Sequence, residues 1–287
     1  MDQSQLFSPA ALLALAQADA RRALAEDLGS GDLTAALIAP DQRARARVLA
    51  RESAVICGTP WAEAAIRQLC PEASIRWWVG EGQRCGADQL VLEVEGEARA
   101  LLSAERTVLN FLQMMSAVAT KTALYVEQVR GTRASIVDTR KTMPGLRLAQ
   151  KYAVKTGGGV NHRIGLFDAV LIKENHIAAA GGVTQALMAA RQAAAQADFI
   201  EIEVETLAQL SEALEARARM VLLDNMSLPD LHKAVQLNDG RAVLEISGGV
   251  TLDGLRELAQ TGVDRISIGG LTKDVKATDF SMRLQQL

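Results

Sequence analysis

The apolar positions of this chain fall into segments of different period, and those segments predict its elements. From about Ser8 to Leu28 they recur at helical spacing, and EDLGSGDLTA then breaks the pattern with two glycines. Residues 45–57, RARVLARESAVIC, predict a strand pair or one bent strand. Ile75–Val79 and Leu90–Val94 predict further strands, with Gly80, Gly82 and Gly86 between them. Ser103 is a predicted N-cap with Glu105 in the first turn, opening a helix that carries Arg106 and an apolar stripe of Leu109, Leu112 and Met115. A second helical pattern runs to about Val129. This first part of the chain is expected to be a small α+β unit.

The remainder alternates. Six short apolar runs each end in polar or glycine residues: SIVDTRK from 135, DAVLIKEN from 168, FIEIEVE from 199, MVLLDN from 220, AVLEISGG from 242 and DRISIGG from 264. Helical patterns separate the last five, including ALMAARQAAAQA, LAQLSEALEARA, LPDLHKAVQ and LDGLRELAQTG. Strands alternating with helices of this length imply βαβ units and parallel pairing. The runs are almost continuously apolar, as in strands covered on both faces. An α/β barrel is the favoured architecture, with a doubly wound open sheet as the alternative.

Composition narrows the class. The chain has 287 residues, 49% hydrophobic and 23% charged, with a formal net charge of −3, so the molecule as a whole does not match nucleic acid electrostatically. It has no run of 18 apolar residues and no leader-like start. Cys57, Cys70 and Cys85 lack CxxC spacing, which predicts reduced thiols in a cytoplasm. His162, His176 and His232 are too scattered to predict a His-based metal site. The stretch EGQRCGADQLVLEVEG looks superficially like a biotin- or lipoyl-carrier hairpin, but no Lys stands at a hairpin tip.

In a parallel α/β barrel the chemistry lies at the carboxyl ends of the strands. Those ends are Asp138, Arg140 and Lys141; Lys173 and Glu174; Glu203 and Glu205; Asp224 and Asn225; Ser247, Gly248 and Gly249; Gly269 and Gly270. Charge is segregated among them. Between Asp138 and Lys173 stand seven cations (Arg140, Lys141, Arg147, Lys151, Lys155, Arg163, Lys173) against Asp138 and Asp168, a net of +5. Several of these sit at strand ends or beside glycines, so they predict a small ligand rich in carboxylate or phosphate, which arginine grips through paired hydrogen bonds. Gly157, Gly158 and Gly159 precede His162 and Arg163 in KTGGGVNHRIGL. Two successive glycine pairs, in SGG and IGG, predict a phosphate cradle of backbone N–H groups. Glu203 and Asp224 suit sugar hydroxyls or a Mg²⁺ bridging phosphates. A Lys at a strand end also leaves open an aldolase-like Schiff base on Lys173.

In this order, DTRKTMPGLR, KYAVKTGGGVNHRIGLFDAVLIKENHI, EIEVE, LLDN and ISGG resemble the quinolinate phosphoribosyltransferase family, also named carboxylating nicotinate-nucleotide pyrophosphorylase. EDLGSGDLT and ERTVLNFLQMMSAVAT extend the resemblance over nearly the whole chain. It implies an N-terminal α/β sandwich over residues 1–115, joined by a C-terminal helix over 275–287, and an open α/β barrel over 116–274. It implies a homodimer in which Arg106 reaches the neighbouring active site. The reaction implied joins quinolinate to phosphoribosyl pyrophosphate with Mg²⁺ and gives nicotinate mononucleotide, pyrophosphate and CO₂, a step of de novo NAD biosynthesis. Arg106, Arg140, Lys141, His162, Arg163 and Lys173 would surround quinolinate. Glu203 and Asp224 would hold ribose hydroxyls and Mg²⁺, and Ser247, Gly248, Gly249, Gly269 and Gly270 would cradle the 5-phosphate. Lys141, Lys173, Glu203 and Asp224 would be closest to the chemistry. A non-catalytic anion-binding relative of the same family is the competing reading, and the intact KTGGGVNHR and IKENH motifs stand against it. One departure is GLTKD, where the family reads ALTKH or ALTHS; it sets Asp274 beside the expected cradle.

Overall fold

The structure, a computed structural model, describes residues 3–287, with side chains from residue 5. In chain order the elements are α1 (Gln3–Leu6), α2 (Pro9–Leu28), β1 (Arg43–Ala50), β2 (Ala54–Val55), α3 (Thr59–Leu69), β3 (Ser74–Trp77), β4 (Arg84–Cys85), β5 (Leu90–Glu97) and α4 (Ala98–Gln128). Then follow β6 (Ser135–Val137), α5 (Arg147–Thr156), β7 (Val170–Ile172), α6 (Glu174–Ala180), α7 (Val183–Ala193), β8 (Ile200–Val204) and α8 (Leu207–Glu215). The chain ends with β9 (Met220–Asp224), α9 (Leu228–Asn238), β10 (Val243–Ser247), α10 (Leu255–Gln260), β11 (Arg265–Ser267), α11 (Gly270–Lys273) and β12 (Phe280–Gln286).

Two compact units result. One holds the described residues up to Ala123, with Met143–Gly158 and Asp274–Leu287; the other holds Leu124–Thr142 and Gly159–Lys273. The first is built on an antiparallel sheet in the order β12-β1-β5-β3. On β1 the alternate residues Ala44, Ala46, Val48 and Ala50 are buried, the period-2 pattern of a half-covered sheet. Helices α2 and α3 are tied by the Trp61 indole N–H, which donates to buried Asp19 at 2.8 Å.

Two expectations fail here for identifiable reasons. Residues 275–287 do not form a helix: Phe280–Gln286 is a strand that pairs antiparallel with β1, Phe280 opposite Ala50 and Gln286 opposite Ala44. Its sequence FSMRLQQ alternates Phe280, Met282 and Leu284 with polar residues, a period of 2 rather than 3.6, and it covers an edge of β1 that would otherwise present unpaired backbone. Ser103 is not an N-cap. The helix starts at Ala98, directly after β5, and runs unbroken for 31 residues, while the Ser103 hydroxyl donates to Asp32 at 2.8 Å. The structural division also departs from the expected boundary near 115, because Met143–Gly158, including α5, lies in the first unit.

The second unit is a six-stranded parallel sheet in the order β6-β11-β10-β9-β8-β7. β6 and β7 end that order, so the barrel is open. The middle strands are covered on both faces: four of the five residues of β8 and of β9 are buried. His162, from the loop before β7, reaches side chains of both β8 and β10, which flank β9, so the sheet curls around it. No described helix is long and apolar enough to cross a membrane.

Candidate active site

Strand alternation builds the site. Leu171 on β7, Glu203 on β8, Leu222 on β9, Glu245 and Ser247 on β10 and Ser267 on β11 all line one cavity of about 160 Å³ at the carboxyl end of the barrel sheet. Thr139, Arg140 and Lys141 from the β6 end, His162 and Arg163 from the following loop, and Lys173 complete its wall. Seven of the residues predicted from the strand ends and motifs therefore come together: Arg140, Lys141, His162, Arg163, Lys173, Glu203 and Ser247.

The loop carrying His162 and Arg163 is stapled by the two acids of the basic segment. Asp138 accepts the His162 backbone N–H at 2.8 Å and the Asn161 amide at 2.7 Å. Asp168 accepts the backbone N–H groups of Ile164 and Gly165 at 2.7 and 2.9 Å. Val160 bridges to β6 through Val137. The Arg140 Nε is buried with no hydrogen-bond partner. Burial, and then Arg140 nearby, lower the pKa of the Arg163 guanidinium from its ordinary value. Two cations are thus held close together in a poorly solvated wall, which favours an anionic ligand.

Within the cavity lining Lys173 Nζ lies 3.1 Å from Glu203 Oε2, with Glu203 nearly buried. Asp224 is not on the cavity wall, but it follows cavity-lining Leu222 by two residues on β9, so it projects from the same face of the strand. Asn225, at φ +52°, donates its amide to Asp224 at 2.7 Å. Gly248 and Gly249 line a neighbouring cavity of about 240 Å³ that shares Ser247 with the first. Gly269 lies under Lys141, where an added Cβ would stand 2.9 Å from the lysine Cδ. Gly270 opens the short helix α11. Asp274 lies in the first unit, where Lys121 donates to its backbone carbonyl and approaches its carboxylate at 3.4 Å.

Arg147, Lys151 and Lys155, counted above with the basic segment, belong to the first unit. So does Arg106, exposed on α4, where it lines a larger cavity of about 540 Å³ with Asp19, Arg22, Glu26 and Gln150.

Three charged residues at the site escaped the reading of strand ends. Glu201, Glu245 and Arg265 each lie two positions before a strand-end residue, so alternation turns them to the same face one layer deeper. Glu201 and Glu245 have no exposed surface. Burial raises the Glu201 carboxyl to about 7, against the pull of Arg265 and Arg163. Burial and then Glu201 raise the Glu245 carboxyl. The signal was available in EIEVE, which places Glu201 in phase with Glu203.

An open α/β barrel with a cationic cavity at the strand ends, lined also by carboxylates and neighboured by glycine turns, is the class of enzyme site that suits a small anionic ligand. The sequence matches the family described as quinolinate phosphoribosyl transferase, N-terminal domain, over residues 32–116, and its C-terminal domain over 118–283. The chain belongs to the quinolinate phosphoribosyltransferase family. It is 44% identical over 271 residues to the nicotinate-nucleotide pyrophosphorylase [carboxylating] of Mycobacterium leprae, covering 92% of this chain and 95% of the relative. The probable nicotinate-nucleotide pyrophosphorylase [carboxylating] of Bacillus subtilis is 40% identical over 257 residues, covering 90% of this chain and 89% of that one. A solved nicotinate-nucleotide pyrophosphorylase from Francisella tularensis superposes with a TM-score of 0.92 at 43% identity, over 95% of this chain and 97% of the other.

Proposed function

We infer that this chain transfers the phosphoribosyl group of phosphoribosyl pyrophosphate to quinolinate with loss of CO₂, giving nicotinate mononucleotide and pyrophosphate. The observation that carries the reading is the gathering of Arg140, Lys141, Arg163 and Lys173 around one cavity, which Glu203, paired with Lys173 at 3.1 Å, also lines. The cations receive the two ring carboxylates and set the pyridine nitrogen against C1 of the ribose. That nitrogen attacks C1 as the bond to pyrophosphate breaks, and the positive charge developing on the sugar is met by Glu203 and Asp224. The ribosylated nitrogen then accepts the electron pair released when the C2 carboxylate leaves as CO₂, and a proton replaces the carboxylate. Most of the acceleration on this account comes from positioning and electrostatics.

Glu203 and Asp224 offer hard carboxylate oxygens, which fit Mg²⁺, and would hold it where it neutralises the leaving pyrophosphate. Ser247, Gly248, Gly249, Gly269 and Gly270 supply the turns for the 5-phosphate. Arg106 completes the site of a second copy in a homodimer. Mixing an Arg106→Ala protein with a Lys173→Ala protein then restores activity that neither has alone; failure to do so removes the shared site. We place the enzyme in the cytoplasm, where its three buried free thiols stay reduced.

The direct test is incubation with quinolinate, phosphoribosyl pyrophosphate and Mg²⁺ while following CO₂. Release that depends on all three is expected. Pure, folded protein that leaves quinolinate intact refutes the reading.

A further inference from the structure

Beneath the cavity lies a set of buried charges that the reaction just described does not use. Glu201 and Glu245 each keep one oxygen, Oε1, with no hydrogen-bond partner. They flank His162, whose Nε2 lies 2.8 Å from Glu201 Oε2 and 3.6 Å from Glu245 Oε1. Arg265 Nε holds the other oxygen of Glu245 at 2.7 Å. Phe199 packs edge-on against the imidazole at 5.4 Å between centroids.

The second ring nitrogen decides where the proton sits. His162 Nδ1 accepts the backbone N–H of Arg163 at 2.8 Å. A nitrogen that accepts carries no proton, so the ring proton is on Nε2 and Glu201 Oε2 accepts it. His162 is then a neutral imidazole with both nitrogens engaged inside the protein, and it has no N–H left for a ligand carboxylate. The same three side chains bring their ligand atoms within 4.8 Å of one another, as a metal site would. Arg265 on Glu245 and Arg163 beside Glu201 make that spot unfavourable for a further cation.

We propose that Glu201, Glu245 and Arg265 form a buried brace that fixes His162 as its Nε2–H tautomer, and that His162 is a positioning residue for Arg163 rather than a ligand of the dicarboxylate. This deepens the quinolinate reading and rests on it. Arg163 is the residue whose placement the brace secures: its backbone N–H is tied to the ring, and its Nη1 donates to the Ala169 carbonyl at 3.3 Å.

Two measurements test the brace. Glu201→Leu removes the acceptor and fills the space, while Glu201→Gln keeps an amide oxygen that can take the same proton. Glu201→Leu is expected to weaken quinolinate binding about tenfold while phosphoribosyl pyrophosphate binding stays unchanged, with Glu201→Gln close to the parent. Unaltered quinolinate affinity in Glu201→Leu overturns the proposal, as does equal weakening of both substrates. Independently, ¹⁵N spectra of the ring nitrogens of the parent protein, which has only three histidines, should show one protonated and one bare nitrogen for His162. Two protonated nitrogens overturn the brace even where Glu201→Leu does not fold. A parent protein that leaves quinolinate untouched would end the functional reading, while the ring spectra would still decide the tautomer.

Discussion

Gly248 and Gly249 are adjacent, both at positive φ, and the structure makes opposite demands on them. At Gly248, φ is +99° and an added Cβ would stand 2.0 Å from the Asn225 Oδ1, 2.7 Å from its Cγ and 3.1 Å from its backbone nitrogen. At Gly249, φ is +58° and nothing lies within 4 Å of the added atom. Gly249→Ala therefore carries only the backbone penalty of a left-handed residue, about 1–2 kcal/mol. Gly248→Ala carries a similar penalty and also expels the Asn225 side chain. That side chain donates to Asp224 at 2.7 Å, and its backbone nitrogen is tied to the Ser247 carbonyl at 3.1 Å. A hydrogen bond to a charged group contributes about 1.5–3 kcal/mol. Releasing Asp224 should then weaken phosphoribosyl pyrophosphate about 10- to 100-fold. The assay is steady-state kinetics with each substrate varied in turn, alongside a thermal melt. Gly248→Ala should raise KM for the phosphoribosyl donor far more than for quinolinate, and Gly249→Ala should shift neither by as much. Equal effects of the two substitutions would refute the reasoning, because only the Asn225 collision separates them.

Arg140→Ala should weaken quinolinate about 10- to 100-fold through a lost charged hydrogen bond, without lowering the melting temperature, since it removes a buried Nε that has no partner; calorimetric binding and a melt check both. Gly157→Ala places a Cβ 2.4 Å from the Ala119 carbonyl oxygen on α4 with no positive φ involved, so pure overpacking should destabilise the protein by about 1–3 kcal/mol, read by denaturant unfolding. Between pH 4.5 and about 7 the folded protein holds a proton on Glu201 that the unfolded chain has released, so this group's contribution to stability falls as pH rises, by about 3 kcal/mol over the window. Glu201→Gln should flatten that slope in melts run at either end, and an unchanged slope would contradict it.

The barrel was legible because its strands are buried on both faces and end abruptly in charge or glycine: all six apolar runs carry strands of one parallel sheet. Five cavity residues, Arg140, Lys141, Lys173, Glu203 and Ser247, were legible for the same reason, and His162 and Arg163 from the triple-glycine motif before them. The C-terminal strand was not, because its burial depends on finding the edge of β1, a partner more than 200 residues away in sequence. Nor was the division of the basic segment: a continuous charge count cannot show that Arg147, Lys151 and Lys155 leave the barrel on α5 and that Lys173 returns to it. Asp274 beside Lys273 read as a perturbation of the phosphate cradle, whereas Lys121 claims it, a pairing that only tertiary structure reveals.

The deeper layer of the site explains why so much charge survives beneath a barrel mouth. Replacing a buried ion pair with apolar side chains of similar volume is often neutral or stabilising. By that measure Glu245, with Arg265 on one oxygen and no hydrogen bond on the other, is a poor contributor to stability. What it does offer is a fixed geometry around His162, and through the ring a fixed backbone at Arg163. The cavity wall above has the complementary defect: Arg140 has an unsatisfied Nε, and Arg163 has a depressed pKa. On the proposed function, a dianionic ring bound beside them would remove an unfavourable interaction already present in the free protein, so part of its affinity would be set before it arrives.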